Sequence, residues 1–347
     1  MIEFAASAPP LLSVRDLRAY FDTNDGVVRA VDGVSFDVRR GEVFAVVGES
    51  GSGKSVMATT IMGLPRTVRI ASGEVRWKGR DLLQLPESEH RRIRGKEIAM
   101  IFQDPLTALN PVHQVGRQIG EMARIHEGLS RKAAGRRAIE MLDLVGIPEA
   151  AKRARMYPHE FSGGMRQRAM IAMAITCRPD LLIADEPTTA LDVTVQAQVL
   201  EVLMRIKDEI DSAIMLITHD LGVVAGLADR VMVMYAGRTV EVGTAPELFY
   251  RARHPYTLGL LASLARLGAR RDEPLVPIPG APASSIEVPP GCAFNPRCSF
   301  VSSDGRCAQT RPELREATAP GHLAACHELE ALDGVSVESV RRAGTGR

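Results

Sequence analysis

Apolar residues keep two rhythms along this chain, and the switches between them mark its elements. From 11 to 47, short runs of β-type residues such as VRAVDGVSFDV are broken by Asp-Gly and Arg-Arg-Gly turns. They end in Val43-Phe44-Ala45-Val46-Val47, a continuous apolar run of the kind a strand buried on both faces requires. Residues 54–64 then read as a helix. The stretch 87–155 is helical in pattern, and Ser130 opens a helix on which Ala134, Ile139, Leu142 and Val145 recur near helical spacing. Strand-like apolar runs return at 181–184, 214–218 and 231–235, with helical segments between them. Strands alternating with helices predict an α/β fold with a largely parallel sheet covered on both faces.

After about Arg251 the pattern dissolves. Prolines at 274, 277, 279, 282, 289 and 290 precede a cluster of cysteines, which predicts a loop-rich module with a thin core of its own. The stretch from Leu332 is expected to be a flexible tail. No internal repeat is visible.

Composition narrows the function classes. The 347 residues suit one large domain with an appendage, and 45% hydrophobic residues supply a substantial core. A net charge of +1 gives no basic field for nucleic acid, and 4% aromatics give no array of base-stacking platforms. The amino terminus lacks the basic-then-apolar order of a secretory signal, and no apolar stretch approaches the ~20 residues that span a bilayer. A cytosolic or peripheral chain is expected.

The strongest chemical signal is Gly48-Glu49-Ser50-Gly51-Ser52-Gly53-Lys54-Ser55, which matches G-x-x-x-x-G-K-[ST] between an expected strand and an expected helix. In that context backbone N–H groups curl around phosphate oxygens at a helix start, Lys54 reaches the β- and γ-phosphates, and the Ser55 hydroxyl ligates Mg²⁺. A second strand, 181–184, ends in Asp185-Glu186. Two carboxylates at the carboxyl end of a buried strand suit Mg²⁺ binding by Asp185 and orientation of attacking water by Glu186.

Those motifs are common to all P-loop nucleotidases. Phe161-Ser162-Gly163-Gly164-Met165-Arg166-Gln167 resembles the signature sequence of ABC ATPases and stands where they carry it, shortly before the acidic strand. Phe161 and Met165 replace the commoner Leu and Gln. The other elements follow in family order: Gln103 as the Q-loop glutamine, Ala190-Leu191-Asp192 as the D-loop, His219 as the switch histidine, and Tyr20 or Phe21 as the aromatic that stacks on adenine. The resemblance implies a RecA-like P-loop core with an antiparallel β subdomain and a helical subdomain at about 104–165, all within 11–250. It also implies that Ser162, Gly163, Gly164 and Asp192 act in trans on the ATP of a second, related ATP-binding subunit.

Within that family the chain resembles the D-type ATP-binding subunits of oligopeptide and dipeptide importers. This rests on Gln103-Asp-Pro-Leu-Thr-Ala-Leu-Asn-Pro111, on FSGGMRQRAMIAMA from Phe161, and on Arg253-His254-Pro255-Tyr256-Thr257, which opens their C-terminal extension, here 251–330 before a tail at 331–347. The resemblance implies two transmembrane permease subunits and an extracytoplasmic solute-binding protein as partners, with the chain peripheral on the cytoplasmic face of the inner membrane. A nickel or other small-solute importer, and a soluble non-transport ABC ATPase, stand as alternatives.

Cys292, Cys298, Cys307 and Cys326 are separated by five, eight and eighteen residues. Tight turns at Pro289-Pro-Gly-Cys292 and Asn295-Pro-Arg-Cys298 would let thiolates converge on a metal, although no C-x-x-C pair is present. Free or disulfide-forming thiols stay open. Resemblance to importer subunits with this tail favours a 4Fe–4S cluster over Zn²⁺, in a structural role. Cys177, in an apolar run, reads as a small core residue.

Overall fold

A computed structural model of the chain describes residues 9–64, 67–189, 191–264 and 277–345. Ala190 of the expected D-loop, Pro274 of the proline-rich stretch, residues 1–8 and the last two residues of the tail lie outside them. The chain divides into two compact units. One takes the described residues of Met1–Asp37, Phe44–Arg80 and Thr218–Arg347; the other takes those of Val38–Val43 and Asp81–Ile217.

In the first unit, strand Leu12–Thr23 lies between Gly26–Val38 and Arg69–Trp77. The pairing with Arg69–Trp77 is antiparallel and sets Leu12 opposite Trp77 and Val14 opposite Val75, all four buried. This is the antiparallel β subdomain. Its inward face is apolar because alternate residues of a strand point the same way.

The apolar run 43–47 forms the strand Val43–Val47, buried along its whole length. It runs parallel to Arg230–Tyr235, with Phe44 opposite Arg230 and Val47 opposite Val233. Antiparallel strands extend that edge: Arg238–Thr244, then Leu323–Ala324, then Arg315–Glu316. The last two strands come from the C-terminal segment, so it adds to the sheet directly.

The segment also shares a core with those strands. Tyr256, Leu258, Leu261, Phe294, Ala324 and Leu332 pack in one buried cluster with Ala45, Val47, Val231 and Val233. A thin independent core was expected here; the segment instead shares the core of strands Val43–Val47 and Arg230–Tyr235, and buries apolar area against them. The tail differs likewise. Leu332 is fully buried and a helix covers Val337–Thr345 where a flexible tail was expected. Arg341 fixes that helix by donating to the carbonyls of Leu261, Ala262 and Leu264 at the C-terminal end of helix Pro255–Ser263.

In the second unit, three parallel strands, Ile98–Ile101, Leu181–Asp185 and Ala213–Thr218, run side by side in that order. Helices Val115–Glu127, Arg131–Leu144 and Gly163–Ile175 make up its helical part. Ser130 caps Arg131–Leu144, its hydroxyl accepting from the Ala133 N–H at 3.3 Å. Helix Val193–Ile210 completes the unit, its Val199, Val202, Leu203 and Ile206 buried on one face. Among the described residues no helix is long and apolar enough to cross a membrane.

Candidate nucleotide site

The phosphate loop follows strand Val43–Val47 and leads into helix Lys54–Ile61 in the first unit. Gly53 sits at φ 98°, and a Cβ there would lie 2.0 Å from the Ala30 carbonyl oxygen, so only glycine can close the loop at this point. The Lys54 ammonium folds back over the loop and donates to the carbonyls of Gly48 at 2.7 Å and Glu49 at 3.0 Å. The Gly237 N–H holds the loop from outside by donating to the Ser52 carbonyl. His219 stands in the same unit, directly after strand Ala213–Thr218, and Asp220 caps the short helix behind it through the Gly222 N–H.

Tyr20 and Phe21 lie near the end of strand Leu12–Thr23, both half-buried. The Tyr20 hydroxyl donates to Asp32 at 2.9 Å and its ring lies under the Arg69 guanidinium at 5.7 Å. Successive strand residues point to opposite faces, so Phe21 presents its ring on the other side.

In the second unit, strand Leu181–Asp185 delivers Asp185, buried, and then Glu186. Glu186 holds a left-handed backbone at φ 47°, which a side-chain-bearing residue adopts only under constraint. The constraint is visible. Its N–H donates to the Ile217 carbonyl at 2.9 Å, and its carboxylate accepts from the Thr189 hydroxyl at 2.9 Å and the Gln103 amide at 3.2 Å. Gln103 and Glu186 are thus brought together although 83 positions apart in the chain.

The signature segment opens helix Gly163–Ile175. Ser162 is its N-cap and accepts from the Met165 N–H at 3.3 Å. Asp192 caps Val193–Ile210 in the same manner through the Val195 N–H at 3.0 Å. The two helix starts pack together at Gly164, where a Cβ would lie 2.7 Å from Val195 Cγ1. Both starts carry exposed N–H groups and the positive end of a helix, the makings of an anion site. Gln103 is followed by the short helix Pro105–Ala108, capped by Asp104, and Leu106 and Val112 on this stretch are exposed at 61% and 71%.

The C-terminal segment contributes contacts that no sequence motif announces. The fully buried Glu241 carboxylate accepts from the N–H groups of Arg253 at 2.6 Å and His254 at 3.0 Å, and lies 2.8 Å from His322 Nε2. His254 in turn caps helix Pro255–Ser263, its Nδ1 accepting from the Tyr256 N–H at 3.1 Å. Complete burial pushes the His254 imidazole down to about 3, against a weaker opposing hydrogen bond with the Ala325 backbone. The Tyr256 hydroxyl accepts from the Glu49 N–H, and Arg297 pairs with the Glu49 carboxylate. No spacing rule links positions so far apart.

The four cysteines of this segment are free thiols. Burial pushes Cys292 up, Cys298 to about 11 and Cys326 to about 12. The N–H groups of Phe300 and Glu328 donate to the sulfurs of Cys298 and Cys326. Four thiols suit a soft metal in donor chemistry. Yet among the described residues no group of three or more His, Cys, Asp or Glu side chains is arranged to hold a metal ion. The iron–sulfur or zinc centre expected from the sequence therefore finds no support in this arrangement. Cys177 is half-buried, with its thiol pushed up to about 11 by burial.

Comparison with known proteins agrees with this anatomy. Residues 31–189 match the ABC transporter family, and residues 240–307 match the family described as oligopeptide/dipeptide transporter, C-terminal region. The chain is 52% identical over 328 residues to the oligopeptide transport ATP-binding protein OppD of Salmonella typhimurium, covering 93% of this chain and 96% of that one. It is 54% identical over 290 residues to the dipeptide transport ATP-binding protein DppD of Bacillus subtilis, covering 83% and 86%. Among solved structures, the dimeric post-hydrolysis state of the ATP-binding cassette MJ0796 bound to ADP and Pi superposes with a TM-score of 0.61 at 25% identity, over 67% of this chain and 98% of that one. The chain belongs to the ABC transporter ATP-binding family, as an ATPase cassette joined to the oligopeptide/dipeptide-transporter C-terminal region.

Proposed function

We propose that this chain is the ATP-hydrolysing subunit of a membrane importer of oligopeptides or dipeptides. The observation that carries the reading is the presence, in one chain, of a complete set of cassette motifs and the C-terminal region of proteins named for peptide transport, at 52% identity over nearly the full length. It works with two permease subunits, a second related ATP-binding subunit and an extracytoplasmic solute-binding protein, and sits peripherally on the cytoplasmic face of the inner membrane.

In this reading the loop Gly48 to Ser55 wraps the phosphates with backbone N–H groups, as a left-handed glycine turn before a helix favours. Lys54 leaves its carbonyl partners to neutralise the β- and γ-phosphates. Ser55, Gln103 and Asp185 offer the oxygen donors that Mg²⁺ takes, and the ion would neutralise charge on the phosphates. Glu186 orients the attacking water and accepts its proton, with Gln103 and Thr189 fixing the carboxylate. His219 steadies the γ-phosphate. Phe21 stacks on adenine, because Tyr20 already engages Asp32 and Arg69 on the opposite strand face.

Ser162, Gly163, Gly164 and Asp192 serve the second subunit's ATP. ATP therefore joins the two ATP-binding subunits and hydrolysis parts them. The exposed Leu106 and Val112 beside Gln103 offer an apolar surface for the permease, which transmits that motion. The cysteines take no step in the cycle.

Reconstitution with the cognate permease tests the function: ATP-dependent uptake of short peptides into vesicles is expected. Uptake of nickel but not peptides would refute the substrate, and ATPase activity stimulated by ribosomes or DNA rather than by permease would refute transport.

A further inference from the structure

Glu49 is the first variable position of the phosphate loop, yet all its polar groups are engaged. Arg297 approaches its carboxylate with both terminal nitrogens, at 2.7 and 3.1 Å. Its N–H donates to the Tyr256 hydroxyl at 2.9 Å. Its carbonyl accepts from the Ser52 N–H at 3.2 Å and from the Lys54 ammonium at 3.0 Å. One residue thus carries one of the two backbone-carbonyl contacts of the nucleotide-binding lysine on one side and two contacts from the C-terminal segment on the other.

Those two contacts come from rigid supports. The Arg297 side chain is 5% exposed, donates through Nε to the Pro279 carbonyl at 2.8 Å, and lies against the rings of Tyr235 and Phe294 at 5.8 Å each. Tyr256 is fully buried and packs on Tyr235 at 4.7 Å and on Phe294 at 5.3 Å between ring centres. A solvent-exposed pair would contribute little, because water screens it and both side chains must be ordered to form it. A two-pronged guanidinium–carboxylate pair with the guanidinium buried and the carboxylate 25% exposed differs, since the geometry is fixed in two directions and losing the carboxylate leaves a buried guanidinium uncompensated.

We propose that Arg297 and Tyr256 are positioning residues for ATP binding, holding through Glu49 the limb of the phosphate loop from which Lys54 hangs. The C-terminal region is then part of the scaffold of the nucleotide site, and damage to it is felt as weaker nucleotide binding. The inference rests on the reading of residues 48–55 as the phosphate loop of a working ATPase.

The test uses the full chain assembled with its permease and partner ATP-binding subunit, and measures KM and kcat for ATP. Arg297→Gln is expected to raise KM about tenfold while changing kcat by less than about threefold, because the loop is loosened and the hydrolytic groups are untouched. Glu49→Gln is expected to do the same, and the double variant to be no worse than Arg297→Gln alone, since both remove one interaction. Tyr256→Phe deletes a single oxygen and is expected to raise KM about threefold. A purely structural role would lower thermal stability and leave KM where it was; that result in Arg297→Gln overturns the inference. Should Arg297→Gln fail to assemble, an unshifted KM in Tyr256→Phe overturns it equally. A wild-type complex that hydrolyses no ATP would sink the ATPase reading and this inference with it, whereas normal wild-type kinetics beside unshifted variants defeat this inference alone.

Discussion

The Gln103 amide donates to the Glu186 carboxylate across 3.2 Å, and Glu186 holds a left-handed backbone to receive it. Strain of this kind persists only where the surroundings over-determine it, and here the Ile217 carbonyl, the Thr189 hydroxyl and the Gln103 amide all do so.

Glu186→Gln keeps the shape and both donors' neighbourhood but removes the negative charge. Hydrolysis is expected to fall by about 10² to 10⁴, the span of a lost general base, while ATP binding persists. Size-exclusion chromatography of the variant with the proposed second ATP-binding subunit and Mg–ATP should show a long-lived heterodimer. Turnover within about tenfold of wild type would contradict the assignment.

At the junction of the signature helix and helix Val193–Ile210, Gly164 leaves 2.7 Å between a notional Cβ and Val195 Cγ1. Gly164→Ala is therefore expected to cost about 1–3 kcal/mol through overpacking, and Val195→Ala in the same chain to recover most of it. Urea unfolding of the single and double variants measures this. Strict additivity would show that the two side chains do not compete for space.

His254 supplies a pH signature. Its folded value lies near 3, against about 6.5 for an unfolded histidine, so the unfolded chain takes up a proton that the folded chain refuses. Stability from this group is complete above about pH 6.5 and is lost as pH falls, at about 1.4 kcal/mol per unit. Between pH 6.5 and 5 the wild type should lose about 2 kcal/mol more than His254→Asn, which keeps an acceptor for the Tyr256 N–H and does not titrate. Parallel stability curves for the two would contradict it.

Glu241 is a fully buried carboxylate serving Arg253, His254 and His322. Glu241→Ala leaves two backbone N–H groups and an imidazole without their acceptor, and is expected to cost about 3–5 kcal/mol in denaturant unfolding. A cost below about 1 kcal/mol would show that solvent reaches these groups.

The elements that carry the proposed nucleotide groups were legible because each motif is contiguous and bound to one element: a glycine turn after an apolar strand, a serine before a helix, an acidic pair at a strand end. Chain order then distinguished the ABC pattern among P-loop proteins. What escaped was pairing across distance. Glu49 is a position the motif leaves open, and its partners stand 207 and 248 residues away, so neither Tyr256 nor Arg297 could be tied to it by spacing. Glu241 belongs to no motif, because burying a carboxyl group depends on donors that come from elsewhere in the chain. The helix Val337–Thr345 read as a tail for the same reason: Arg341 anchors it to carbonyls 77 to 80 positions earlier.

Nucleotide held by the loop at 48–55 is proposed to power peptide uptake. The direct measurement is uptake of a labelled short peptide, with ATP consumption, by vesicles carrying the assembled transporter and its solute-binding protein, comparing wild type with Lys54→Ala. ATP-dependent uptake is expected in the wild type, with a loss of both activities by at least about a hundredfold in the variant. Equal uptake by the two, or uptake by the wild type without ATP, would contradict it.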